Sequence, residues 1–259
     1  MSTPLRSEAG AFLAGIIAVL HAPRATFEAL ALTPRVFGVV TLTFLVTAGC
    51  TAIVLETDVG QLALLDHWER WAFVLGHTVD DAQYLAMEEA SRHGAVYAAL
   101  TAAVSGPLLT LGVSGLIFAV FRGSQVAARP TQPAQVGSVG LGDRPRTVTY
   151  KQVLAIVGYA GVILAVRQVI GAPLTYTRET LAGPMTMRAF FTMLNDASVE
   201  ARFLLAIDVF VVWWVVLLAI GVSVLYARPA WRLACAFLGV YVTLSAVVAI
   251  IVATLGGTV

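Results

Sequence analysis

Five stretches of the chain run apolar for about twenty residues or more, and charged and turn-forming residues return only between them. A helix rises 1.5 Å per residue, so some twenty residues cross a hydrocarbon core about 30 Å thick. The pattern predicts spans at about 36–55, 95–121, 152–173, 203–226 and 233–255. The expected fold is all-α: a polytopic transmembrane helical bundle of five spans with short interfacial helices. A sixth apolar run, Ala9–Leu20, holds twelve residues between Glu8 and His21 and is too short to span. Arg6 alone is a thin n-region for a signal peptide, and Pro23 follows any cut after Ala22, so a helix lying at the membrane interface or re-entering it is preferred. Pro23 should end that helix, and a second one through Phe27, Leu30 and Leu32 should stop before Pro34.

The segments between spans have their own periods. Glu56–Gly94 carries eight acids and two arginines. Leu62, Leu65, Trp68, Ala72 and Leu75 recur there at helical spacing and predict a surface helix, with Trp68 and Trp71 at headgroup level. Thr78, with Asp81 three residues on, reads as the N-cap of a second helix over Val79–His93. Pro107 should kink the second span. Arg122–Lys151, rich in Pro, Gly and Gln, reads as a flexible loop. Leu174–Arg202 is external, with a short interfacial helix expected at Met185–Leu194 and a turn starting at Asp196. No internal repeat divides the chain, so residues 1–259 are treated as one membrane domain, with 1–35 its interfacial N-terminal segment.

Composition fits lipid as the solvent. Hydrophobic residues make up 59% and charged ones 12%, against about 25% charged in soluble domains. Net charge is +1 and no basic run occurs, which excludes nucleic acid as an expected partner. With the N-terminus inside, ten basic residues fall on inner segments (Arg6, Arg24, Arg35, Arg122, Arg129, Arg144, Arg146, Lys151, Arg228, Arg232). Five fall on outer ones (Arg70, Arg92, Arg178, Arg188, Arg202). The positive-inside rule then gives N-in, C-out. Fifteen of the sixteen basic residues are arginine and alanine is abundant, a usage pointing to a GC-rich bacterial genome and an inner (plasma) membrane. The four residues after Leu255 are uncharged, so no binding tail is expected.

Two charges fall inside spans: Arg167 in the third and Asp208 in the fourth. Arg167 lies sixteen residues above Lys151, about 24 Å, and Asp208 five residues below Phe203, about 8 Å. Both land at similar depth in the outer leaflet, where antiparallel neighbours bring them together. The pair is a structural pin between spans three and four or part of a polar pathway in which Arg167 holds the charge of Asp208; the third alternative is that Arg167 snorkels outward on its own and Asp208 bonds hydroxyls or backbone. Tyr159 and Gln168 are the expected hydrogen-bonding groups around it.

Small residues at four-residue spacing (Ala98, Ala102, Gly106, Thr110, Ser114; Cys235, Gly239, Thr243; Gly161, Ala165) suit close helix packing, with a homo-oligomer face as the alternative. Cys50 and Cys235 read as packing residues. Asp66, His67, Glu69 and His77 cluster, as do Glu89 and His93, but without a recognisable ligand set they read as an acidic surface, and no metal is expected. The GSVGLG run at Gly137–Gly142 precedes no helix start, and no catalytic motif is visible. No cofactor is predicted and the chain is not expected to be an enzyme.

The order of motifs resembles the Yip1-domain family. Pro23-x-x-x-Phe27, Leu30 and Pro34 precede span one. Tyr150-Lys151-Gln152-Val153-Leu154 with Gly158-Tyr159 opens span three after a basic loop. Asp208-Val209-Phe210-Val211-Val212-Trp213, ending in Gly221, forms span four. The resemblance covers nearly the whole chain and implies five spans, N-in and C-out. Eukaryotic members carry an acidic-Leu-x-Gly-Pro motif and act with Rab GTPases. Here Leu32-Thr33-Pro34-Arg35 stands instead, and Ile163 replaces the proline that follows the family's Gly-Tyr pair, so GTPase partnership is not implied. The bacterial branch is the better likeness. The expected function is non-enzymatic organisation or scaffolding of membrane-protein partners. The alternative is a small-solute or ion transporter or channel component using Asp208 and Arg167.

Overall fold

A computed structural model describes residues 15–74, 77–122, 148–181, 183, 185–191, 193 and 199–255. The loop expected over 122–151, the start of the 9–20 helix, Leu75, the GSVGLG run, Leu194, Asp196 and the tail lie wholly or mainly outside them.

The helices are α1 (15–21), α2 (Pro23–Leu32), α3 (Phe37–Leu55), α4 (Asp58–Val74), α5 (Asp81–Ser91), α6 (Gly94–Phe121), α7 (Tyr150–Ala160), α8 (Val162–Arg178), α9 (Val199–Ala206), α10 (Val209–Tyr226) and α11 (Ala230–Leu255). Five helical segments are long and apolar enough to cross a membrane: α3, α6, α7–α8 together, α10 and α11. The chain is thus an integral membrane protein of the expected all-α, multi-pass class, with no strand among the described residues. Below, the cap side is the end carrying α4 and α5, and the base side carries α1 and α2.

Spans three and four form the axis. About half of each is buried, 56% and 50%, against 17% of α3 and 11% of α6 and α11, whose outer faces meet lipid. Leu217, Leu218, Ala219 and Val222 of α10 lock against Val153, Ile156 and Val157 of α7. Gly221 permits that closeness: a Cβ there would sit 2.3 Å from Ile156 Cγ2. On the cap side, a Cβ on Gly94 would sit 2.7 Å from the Leu55 carbonyl oxygen, so α6 starts in backbone contact with the end of α3.

The N-terminal helices are part of this core. Val19 and Phe27 are fully buried and Leu30 nearly so, within the α7–α10 cluster. Gln152 Nε2 donates to the Ala31 carbonyl at 2.7 Å. Of the run too short to span, the described part packs into this core through Val19, while Ile17 is exposed. Pro23 and Pro34 act as read, Pro23 opening α2 and the helix stopping at Leu32.

Several boundaries correct the sequence reading. Pro173 lies inside α8, which runs on to Arg178, so it does not end span three. The N-cap of α5 is Asp80 rather than Thr78, because Gln83 completes a capping box with it: Asp80 Oδ1 accepts from Gln83 N at 2.7 Å, and Gln83 Oε1 from Asp80 N at 3.3 Å. In α4 the buried face is Ala63, Leu64 and Leu65, while Leu62 is exposed. The surrounding helices, not the strongest apolar period, select the face. The helix expected at Met185–Leu194 is a single 3₁₀ turn, Met187–Phe190. The span-five ladder Cys235, Gly239 and Thr243 is exposed rather than packed within the bundle.

Three acids of the cap are paired locally: Asp66 with Arg70, and Glu88 and Glu89 with Arg92. Among the described residues no three His, Cys, Asp or Glu side chains gather as a metal site. Burial and the neighbouring Arg70 hold the His67 imidazole below its ordinary pKa, against the opposing pull of Asp66.

Candidate functional site

The fourth span is broken. The apolar run from Phe203 to Tyr226 predicts one helix, but α9 stops at Ala206 and α10 starts at Val209. Asp208 causes the break. Its backbone is extended (φ −108°, ψ 131°), and Oδ1 accepts from the amides of Phe210 (2.8 Å) and Val211 (3.3 Å). A short carboxylate that bonds the first free amides of a helix competes with continuing the helix behind it. The positive end of the α10 dipole adds to the attraction.

Breaking a helix among apolar side chains orphans backbone groups, each of which must find a partner. Ile207 N turns back to Leu204 O (3.3 Å), and further partners come from elsewhere in the chain. The Tyr241 hydroxyl, near the middle of α11, donates to the Ala206 carbonyl (2.8 Å) and accepts from the Asp208 amide (3.1 Å). The segment around Thr186 pairs with the break as an isolated antiparallel bridge: Met187 N donates to Ile207 O (2.8 Å) and Val209 N to Met185 O (3.2 Å). Thr186 is buried and bonds its own turn, at the Gly183 carbonyl.

The second carboxylate oxygen of Asp208 meets Arg167 on α8. Nε donates to Oδ2 at 2.7 Å, with the Asp208 side chain 7% exposed and that of Arg167 34% exposed. The two partners differ in a way that matters. Asp208 is closed in on every side, whereas Arg167 lines two cavities.

One cavity, of about 110 Å³, lies on the cap side between α3, α8 and the Leu181–Met185 segment, with Thr51, Thr175 and Gly183 in its wall. The other, of about 640 Å³, lies between α3, α6, α7–α8 and α10. Its wall carries Thr43, Thr47, Ser105, Thr110, Arg167 and Gln168 among apolar groups, and it includes Pro107. It reaches the lipid-facing surface at Leu108 and Leu109, which are exposed. The cavity exists because the α6 small-residue ladder does not pack along its whole length. Ala98, Ala102 and Ser114 are buried, but a Cβ on Gly106, between them, would touch nothing within 4 Å.

Of the residues singled out from sequence, Arg167 and Asp208 are in contact. Gln168 turns to α3 instead, donating to Thr51 Oγ1 at 2.8 Å. Tyr159 is not part of the site: it is buried on the base side, its ring 3.9 Å from where a Gly15 Cβ would lie. Trp214 lines the large cavity, and its indole N–H is buried without a hydrogen-bond partner among the described residues.

Compared with family models, curated proteins and solved structures, the chain matches none.

Tyr241 and Thr186 were missed by sequence reading. A tyrosine inside an apolar span looks like any other packing residue, and Thr186 sits in a loop whose depth no periodicity gives. The available signal was Asp208 itself, an N-cap residue type in mid-span, which can start a helix as well as interrupt one.

Proposed function

We propose that this is a non-enzymatic integral membrane protein that organises or scaffolds partners within the membrane. The state of Asp208 supports this most directly. A carboxylate that passes protons or ions needs an oxygen open to a water path. Here Oδ1 caps α10, Oδ2 holds Arg167, and Asp208 lines neither cavity. Its charge serves to lock the broken span four to span three. The long exposed apolar faces of α6 and α11 remain for lipid or for other membrane helices.

The rest of the reading rests on sequence. Basic-residue asymmetry supports N-in and C-out, the arginine-rich usage supports a bacterial inner membrane, and the motif order supports a Yip1-like protein without a GTPase partner.

A second reading, transport of a small solute or ion, is favoured by one observation: Arg167, Gln168 and Pro107 line the same cavity beside a broken helix.

Water access separates the two. In a background with Cys50 and Cys235 replaced, single cysteines at Leu204, Val211, Val212 and Val215 would be exposed to an impermeant thiol reagent from each side. The scaffold reading expects no labelling at Val212 or Val215, and discrete protein adducts from photo-crosslinkers at Leu116 and Val248 in native membranes. Labelling at both sites, with liposome flux lost in Asp208→Asn, would overturn it in favour of transport.

A further inference from the structure

We infer that the 640 Å³ cavity binds one single-chain amphiphile with a carboxylate head, a free fatty acid, with the head on Arg167 and the chain between α3 and α6. The inference does not depend on the partner-organising reading.

The guanidinium is incompletely satisfied. Its described hydrogen bond uses Nε alone, while the two terminal nitrogens have no hydrogen-bond partner among the described residues, and a third of the side chain is accessible. A guanidinium inside a span needs its donors met, and two parallel N–H groups match a carboxylate edge-on. The Asp208 charge already neutralises Arg167, and the α10 N-terminus adds only a partial positive charge. A monoanion therefore fits better than a dianionic phosphate group.

The space beyond the head suits one chain. From Ala102 to Thr110 the cavity follows α6 for about 12 Å. Its volume lies within the range of ligand sites, and its wall is mostly apolar, with the hydroxyl residues Thr47 and Ser105 in it. The opening at Leu108 and Leu109 lets a long chain leave sideways into lipid and gives the ligand a route in. Gly106 is part of the wall, and a Cβ there would meet no neighbour within 4 Å, so the wall has room for a larger side chain.

The test uses the full-length protein in nanodiscs with a clickable diazirine fatty acid, and the adducts are mapped by mass spectrometry. Adducts should concentrate on Val40–Thr47 and Ala102–Thr110. The unlabelled fatty acid should compete at least tenfold better than the alcohol of equal chain length. Gly106→Phe should abolish the adducts while leaving the melting temperature near wild type. Arg167→Gln with Asp208→Asn, which keeps a neutral hydrogen-bonding pair, should remove the preference for acid over alcohol. Adducts spread evenly over the exposed faces of α6 and α11, equal competition by acid and alcohol, or labelling insensitive to Gly106→Phe in a folded protein would each overturn the proposal. Stronger labelling of the same segments by a two-chain phosphatidic acid probe would overturn the single-chain assignment.

Discussion

Two glycines mark two different regions of this bundle. At Gly221, α10 lies so close to α7 that a single added carbon would overlap Ile156; at Gly106, on α6, an added carbon would touch nothing within 4 Å. Around Gly221 the α7–α10 contact is closely packed, with α1 and α2 against it, and the broken span four is held by hydrogen bonds from α8, α11 and the Thr186 segment. The α3–α6 half keeps a cavity in its wall. The same residue type brings helices together where large side chains fill the facing surface, and leaves a hole where they do not. The Arg167–Asp208 pair lies on the boundary, its carboxylate on the closely packed side and its guanidinium on the open one.

The largest expected effect tests the closely packed side. Asp208→Ala removes the ion pair and the α10 cap together and strands Arg167, a loss of about 3–5 kcal/mol for a buried pair broken on one side. Replacing Arg167 with leucine as well should recover much of that loss but not the cap, about 1 kcal/mol. If the double replacement unfolds in a chemical denaturation series as readily as Asp208→Ala alone, the two charges are not coupled. Next, Gly221→Val should cost at least about 1–3 kcal/mol by overpacking. An unchanged melting temperature would show that α7 and α10 are not in close contact. Tyr241→Phe removes both bonds that bridge the break and should cost about 1–3 kcal/mol. Hydrogen exchange should then quicken at Asp208 more than in the middle of α10. A smaller effect of opposite sign belongs to the open side. Gly106→Ala should stabilise by up to about 1 kcal/mol, since it adds helix propensity and meets no neighbour; a loss of stability would mean that the cavity closes in the membrane.

The smallest effect lies in the cap, outside both halves. Because the His67 pKa is lowered on folding, the unfolded chain takes up its proton first as pH falls from the ordinary value near 6.5. Stability should therefore decline below that pH, down to the folded value, and be fully present above it. Melting curves at pH 7.5 and 5.5 should differ less in His67→Gln than in the parent.

Much of this was legible in order along the chain. Five apolar runs gave five membrane-length helices because crossing lipid is a demand on each segment separately, met by length and hydropathy. The prolines at 23 and 34 set the ends of α2 for an equally local reason, the missing amide and the fixed φ. The nearness of Arg167 and Asp208 followed from counting residues from each surface.

Other features are set by the environment of a segment. Whether Ala9–Leu20 lies on the membrane or inside the bundle depends on what α7 and α10 present to it, which no window of sequence contains. Phe203–Tyr226 reads as one helix because its side chains are apolar. It is two because Tyr241 and the Thr186 segment supply the hydrogen bonds that make a break affordable. Likewise the small residues of α6 look alike in sequence, and only their neighbours decide which are packed and which border a cavity. Sequence by itself determined that the chain has five membrane-length apolar helices, and that two charges, Arg167 and Asp208, fall within its apolar runs. The tertiary structure decided that one of those charges is closed off and the other opens onto a cavity, because burial is a property of everything packed around a residue.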